Sequence, residues 1–323
     1  MSHKITRRTA ASLPLLLAAG AARAAWPEKP IKLFVPAAPG GGADFVARLV
    51  GPRLGTNLGQ SVVIENQAGA SGTIAAAAVA RSAPDGYTTF MAQSTSVTIA
   101  PHRYNKLPYD TMRDLTPVTL VAMVPNILVV HPSVEATTVQ GLIALAKSKP
   151  GTLNYSSSGS GAPTHLAGEM FNQAAGVKLT HVPYKGAGPA TNALLANEVQ
   201  IMFAPIVAVM AQVKAGKLRA IAVTSSKPSP AAPGIPTIAQ SGLPGYEISS
   251  WFALFVAART PAAIVDRMYK ETAAILQQPE VKKQMEESGA EVVGSDPKSF
   301  AAFVRAEDKK YAALVKSANI KLD

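Results

Sequence analysis

Apolar positions along the chain alternate between short continuous runs and stretches with helical spacing, and each switch falls on a Gly/Pro/Ser-rich turn. Residues 31–35 form an apolar run, 36–42 a turn, and Phe45, Val46, Leu49, Val50 and Leu54 then recur on one helical face. The order repeats. Residues 61–65 read as a strand, 66–72 as a second Gly-rich loop and 73–81 as an Ala-rich helix, and Pro84-Asp85-Gly86 turns the chain into a strand at 87–91 that ends in Gln93-Ser94-Thr95-Ser96. Strand, helix, strand, helix, strand predicts a doubly wound sheet, whose ligands bind outside the carboxyl ends of the strands.

Residues 116–130 are almost continuously apolar and read as two extended segments joined at Pro125, a candidate crossing between lobes. An amphipathic helix over 138–149, closed by Pro150-Gly151, precedes a second strand–loop–helix series. Its loops are 156–165, rich in hydroxyls, and 184–189, which carries Lys185. Strands follow at 199–203 and 218–223 around a helix at 206–215, and the Pro-rich stretch 225–236 marks a return to the first lobe somewhere within 225–251. Pro261, Pro279 and Pro297 each open a helix at a favoured position, and these helices are assigned to the first lobe. The reading is an α/β chain of two lobes, each a doubly wound, mainly parallel sheet flanked by helices. Residues 25–122 and 229–323 make the first lobe and 123–228 the second, facing each other across a cleft that a hinge could close.

The first residues change the picture of where this happens. Lys4, Arg7 and Arg8 precede an apolar run at 10–22 and the small-x-small triplet Ala22-Arg23-Ala24, the layout of a cleaved export signal over 1–24. Arg7-Arg8 fits twin-arginine export, general secretion being the alternative. The run is broken by Pro14 and is shorter than the ~20 residues that span a bilayer. Removing these residues lowers the formal net charge from +11 to +7. The remaining Lys and Arg are dispersed without a basic run or interleaved aromatics, which argues against a nucleic-acid partner. With no cysteine, stability rests on burial alone, and a chain of this size buries about three-quarters of its unfolded surface.

The loop at 36–42 offers the most distinct chemistry. Gly40, Gly41 and Gly42 leave backbone N–H groups uncovered at a helix start, a nest for a carboxylate or phosphate; an ordinary Gly-rich turn is the competing reading. Neither nucleotide loop fits. No Gly-Lys-Ser/Thr follows, and Phe45 stands where a dinucleotide fingerprint needs its third glycine. Asp44, in the first helical turn, is suited to capping N–H groups or meeting an ammonium. Metal and hydrolase signatures are missing: no H-E-x-x-H, no G-x-S-x-G. Ser158 with His165, or Glu169 with Asp44, are pairs that only folding could bring together. No metal or cofactor is expected.

With these loops laid out, the chain resembles the Bug family, the extracytoplasmic solute receptors of tripartite tricarboxylate transporters. The likeness runs through Val35-Pro36-Ala37-Ala38-Pro39-Gly40-Gly41-Gly42-Ala43-Asp44, Glu65-Asn66-Gln67-Ala68-Gly69, Ala83-Pro84-Asp85-Gly86-Tyr87, Tyr155-Ser156-Ser157-Ser158-Gly159 and His181-Val182-Pro183-Tyr184-Lys185-Gly186. It implies a type II periplasmic-binding fold without catalytic activity, working as a monomer with membrane permease subunits as partners. It also implies a carboxylate held by Ala37, Ala38, Gly40, Gly41, Gly42 and Asp44, with Asn66, Ser94 and Thr95 beside them. Ser158, Gly159, Thr164 and His165 would face it from the other lobe; the residues themselves add Ser157, Tyr184 and Lys185, the one cation aimed at the cleft, for which a solvated loop lysine is the competing reading. A receptor reporting to a membrane sensor kinase, or an exported hydrolase, are the alternatives. One departure stands out: the position after Pro36, usually Phe or Tyr in the family, is Ala37. The expectation is a wider pocket and a ligand bulkier than a short dicarboxylate.

Overall fold

A computed structural model describes residues 26–318 and 320; the export signal expected over 1–24 lies outside them. Strand β1 (Ile31–Val35) leads into helix α1 (Gly42–Leu58), β2 (Val62–Asn66) into a single turn and α2 (Thr73–Ala80), and β3 (Thr88–Gln93) follows. β1 lies between β2 and β3 in parallel register, Ile31 against Val62 and Lys32 against Thr88. α1 is held by burial. Its N-cap, Gly41, brings no side chain, which forgoes only a few tenths of a kcal/mol of capping relative to Ser or Asp. Val46, Leu49, Val50 and Leu54 are buried against the sheet, each worth about 1.5–3 kcal/mol relative to exposure.

After β3 the polar loop expected from Gln93 onward is short and helical. Residues Thr95–Ile99 form a π-helical turn that runs into α3 (Ala100–Arg103), with α4 (Thr111–Asp114) beyond it. Val97, Ile99 and Ala100 are fully buried, so their apolar run covers the core as a turn rather than a strand. Such π turns concentrate at functional sites.

β4 (Leu115–Val130) is one continuous strand of 16 residues rather than two segments joined at Pro125. Residues 115–125 pair with β9 (Ser249–Ala257), and from Asn126 onward the partners become β7 (Ile201–Pro205) and β8 (Arg219–Val223). Pro125 sits opposite Ser249 where the partner changes, a place that tolerates a residue without an N–H. The second lobe is completed by α5 (Val139–Ser148), β5 (Asn154–Ser157), α6 (Pro163–Ala175), β6 (Thr180–Pro183), α7 (Ala187–Leu195) and α8 (Ile206–Lys214). β5 lies parallel to both β6 and β7.

Residues 225–248 stay with the second lobe. Val223 bridges Thr237, and Ile238, Leu243, Tyr246 and Ile248 share a core with Phe171 and Phe203, whereas Trp251 packs with Phe90 and Phe300 in the first. α9 (Ala262–Leu276), α10 (Pro279–Glu287), β10 (Glu291–Val292) and α11 (Pro297–Ser317) close the chain. α11 serves both lobes: Phe300 and Val304 lie in the first core, Tyr311, Leu314 and Val315 in the second.

Both lobes turn the carboxyl ends of their parallel strands toward the crossing. Gln93, the last residue of β3, pairs with Phe252, and Pro205, the last of β7, pairs with Asn126. The loops leaving β1, β2, β3, β5 and β6 therefore meet between the lobes.

Candidate functional site

The loop between β1 and α1 is fixed from beneath by a polar clamp. The buried Asp44 carboxylate accepts from the Gly40 N–H (2.9 Å), Arg48 Nε (2.8 Å) and Asn66 Nδ2 (2.9 Å), while Asn66 Nδ2 also donates to the Ala37 carbonyl at 2.9 Å. Burial alone would push the Asp44 carboxyl up. The bonds from Arg48, Gly40 and Asn66 outweigh it and hold the pKa at about 2. Asp44 and Asn66 thus spend their polar atoms on the loop itself. The capping role foreseen for Asp44 is realised, turned back on Gly40.

What the clamp presents is backbone. The first intrahelical bond of α1 runs from Phe45 to Gly41 at 2.9 Å, so the N–H groups of Gly42, Ala43 and Asp44 precede the helical ladder at its positive end. Side chains have no room here. A Cβ on Gly42 would lie 2.8 Å from Phe252 Cζ, and one on Gly41 would lie 3.2 Å from Ala37 Cβ and from the Ala38 carbonyl. The second loop is tightly wound as well: Ala70 and Ser71, at φ 44° and 58°, stand in the left-handed region between Gly69 and Gly72. Ser94 is buried, its carbonyl accepting from Thr98 Oγ1 at 2.9 Å, and Thr95 Oγ1 is buried without a partner.

The facing loop of the second lobe is more self-contained. Ser158 N–H donates to Thr164 Oγ1 (3.0 Å), Ser158 Oγ pairs with Thr164 Oγ1 (2.9 Å), and Gly161 N–H donates to His165 Nδ1 (2.8 Å). Ser158 and His165 are therefore not partners. The serine that meets a histidine is Ser157, whose Oγ lies 2.6 Å from His181 Nε2 and is also bonded to Gly159. Ser157 is wholly buried. At the start of α6 the first helical bond is Leu166 to Ala162, leaving the N–H groups of Thr164 and His165 ahead of it. The Tyr184 loop is stitched on by backbone bonds from Tyr184 N–H to Ser157 and Gly186 N–H to Ser158. The Tyr184 hydroxyl turns to Glu198 (3.5 Å), and Lys185 is exposed. Glu169 takes a 2.6 Å bond from Tyr155 Oη, far from the Asp44 clamp.

His165 and His181 stack at 3.6 Å between ring centroids. Burial, then His181 and Arg103 nearby, lowers the His165 pKa to about 3; burial lowers that of His181 to about 4. Both rings are neutral at pH 7, and the unfolded chain binds the extra protons between the folded values and the ordinary 6.5. Stability is thus expected to fall as pH drops from 6.5 toward 4, by up to about 1.4 kcal/mol per pH unit from His165 and less from the half-buried His181. Asp44, with its folded value depressed, keeps its contribution until pH falls below about 4. Urea denaturation at pH 7, 5.5 and 4 reads this; a flat profile would contradict the stacked neutral pair.

Two features escaped sequence reasoning. Arg103, on α3, is buried and donates across the lobes to the carbonyls of Ser160 (2.9 Å) and Gly161 (3.3 Å). Gly161, at φ 68°, has no Cβ because one would lie 2.1 Å from Arg103 Cζ. The other is a cavity of about 450 Å³ between the lobes, bounded by Gly40, Gly42 and Phe45 on one side, Pro205 and Val207 on the other, and Phe252. Only the Asp44/Arg48 spacing, four residues apart on one helix, hinted at any of this.

Residues 46–320 match the family described as the tripartite tricarboxylate transporter family receptor. Protein BugT of Bordetella pertussis is 34% identical over 298 residues, covering 92% of this chain and 91% of its own length. Among solved structures, R. palustris Rpa4515 with adipate is 37% identical with a TM-score of 0.77, covering 92% of this chain and 99% of that one. MatC (Rpa3494) from Rhodopseudomonas palustris with bound malate is 31% identical with a TM-score of 0.73, covering 90% and 100%. Two lobes, uncapped helix starts facing a shared cleft and these likenesses agree: the chain belongs to the receptor family of tripartite tricarboxylate transporters, whose members bind solutes rather than transform them.

Proposed function

We propose that this protein is a periplasmic receptor that captures a small carboxylate between its lobes and hands it to the permease subunits of a tripartite transporter. The observation that carries the reading is the start of α1: N–H groups at the positive end of a 17-residue helix, offered by a Gly loop that the Asp44–Asn66–Arg48 clamp holds in place. The start of α6 supplies a second set from the opposite lobe. Adipate and malate in the related structures are the kind of anion such amides suit. We further propose that the receptor acts as a monomer, and that its lobes pivot where β4 changes partners, at 125–126, and where β9 begins, at 248–249.

Gly41→Val tests the reading. Its branched side chain would meet Ala37 and the Ala38 carbonyl and displace the loop from the carboxylate, with few buried contacts at stake because Gly41 is only partly covered. Calorimetric titration of the wild type with adipate, malate and benzoate is expected to find at least one binder. The variant is expected to lose at least tenfold in that affinity while its melting temperature stays within a few degrees. Equal affinity in wild type and variant would contradict the site.

A further inference from the structure

The cavity beside the Gly loop narrows the ligand class. Besides glycine edges it is lined by Phe45, Val46, Val124, Pro205, Val207 and Phe252, with Ala290 at one end, and its only side-chain polar atoms are the hydroxyls of Ser250 and Ser288. No Lys, Arg or His is among its lining residues. Gly40 and Gly42 belong both to this lining and to the loop that opens α1. A molecule whose carboxylate meets the first-turn amides of α1 has its body directed past Gly42 and the Phe252 ring into this space.

We propose that the preferred ligand is a monocarboxylate with a medium-length aliphatic or aromatic body, and that this body fills the cavity between Phe252 and Val207. The inference rests on the carboxylate reading above and adds the nature of the rest of the molecule. A second carboxylate at the far end would lose its hydration among apolar walls with no cation to meet it, and an unpaired charge is costly to bury. The nearby cations are engaged elsewhere. Arg48 is bonded to Asp44 and Asn66, Arg103 to the carbonyls of Ser160 and Gly161, and Lys185 projects from an exposed loop outside the lining. The buried Asn126 Nδ2, which has no hydrogen-bond partner, belongs to a residue outside the cavity lining.

Walls from both lobes make the body of the ligand part of closure. Val207, at the start of α8 in the second lobe, comes to the turn after α10 in the first: a Cβ on Gly289 would lie 3.4 Å from Val207 Cβ. Phe252, at the other end, gives an aromatic body a ring to pack against.

Val207 is 55% exposed, so its replacement leaves the core intact and makes a clean test. The wild type and Val207→Lys are titrated calorimetrically with hexanoate, benzoate, adipate and malate. The wild type is expected to bind hexanoate or benzoate at least tenfold more tightly than either dicarboxylate, and Val207→Lys to shift the hexanoate-to-adipate ratio at least tenfold toward adipate. Tighter binding of adipate or malate by the wild type would overturn the monocarboxylate assignment and leave the carboxylate site standing. An unchanged ratio in the variant would overturn the placement in this cavity. No binding of any of the four would overturn the carboxylate reading and this inference with it.

Discussion

Asp44→Ala is expected to lower stability by roughly 1.5–3 kcal/mol, the range for hydrogen bonds to a charged group, and to weaken carboxylate binding at least tenfold. The carboxylate is 2% exposed and gathers three donors from three places: Gly40 on the loop, Arg48 one turn on, and Asn66 at the end of β2. Its removal frees Gly40 at φ 84° and leaves Asn66 Nδ2 with only the Ala37 carbonyl. The loop then samples other conformations, and the amides at the start of α1 no longer stay aimed at the cleft. Asp44→Asn, which keeps the shape and loses the charge, is expected to fall between wild type and Asp44→Ala. Urea denaturation and calorimetry on the three proteins give both readouts. Stability within 0.5 kcal/mol of wild type for Asp44→Ala, a bound set by what an ordinary surface substitution does, would show that the clamp is not what holds the loop.

Arg103→Met is expected to weaken ligand binding about tenfold through the lobes rather than through the ligand, by making the closed arrangement rarer. Arg103 is the guanidinium that the first lobe inserts against the loop carrying Ser158, Gly159 and Thr164. Methionine keeps much of the buried stem and discards the two bonds to Ser160 and Gly161. Apparent affinity scales with the fraction of molecules in the competent arrangement, so every carboxylate should weaken by a similar factor. Gly161→Ala, whose Cβ would strike the guanidinium from the other side, should reproduce the loss. A loss confined to one ligand would instead mean that Arg103 touches that ligand directly, and no loss in either variant would remove the latch from the account.

Strand and helix order was legible because it depends on local spacing. The runs at 31–35 and 61–65 and the helical faces of α1 and α6 sit, within a residue, where their periodicity puts them, and so do the proline-opened helices. What depended on distant partners was not legible. Pro125 looks like a joint until Ser249 is known to lie opposite it, and nothing local in Thr95–Ile99 announces the π turn that Tyr109 and α11 pack around. Tyr246 and Ile248 follow a Pro-rich stretch that reads as a lobe boundary, yet their partners are Phe171 and Phe203. The same holds at the site. Glycine runs announce exposed amides from sequence alone, whereas Asp44, Asn66 and Arg103 acquire their roles from residues 22 to 58 positions away.

The central claim is that the amides opening α1 hold the ligand's carboxylate. Glycine-selective 15N labelling tests it most directly, by following Gly40, Gly41, Gly42 and Gly159 as a carboxylate found to bind by calorimetry is titrated in. The account expects the Gly42 resonance to shift downfield, saturating with the calorimetric dissociation constant, while glycines far from the cleft such as Gly151 and Gly234 stay in place. Saturated binding with Gly42 unmoved would contradict it.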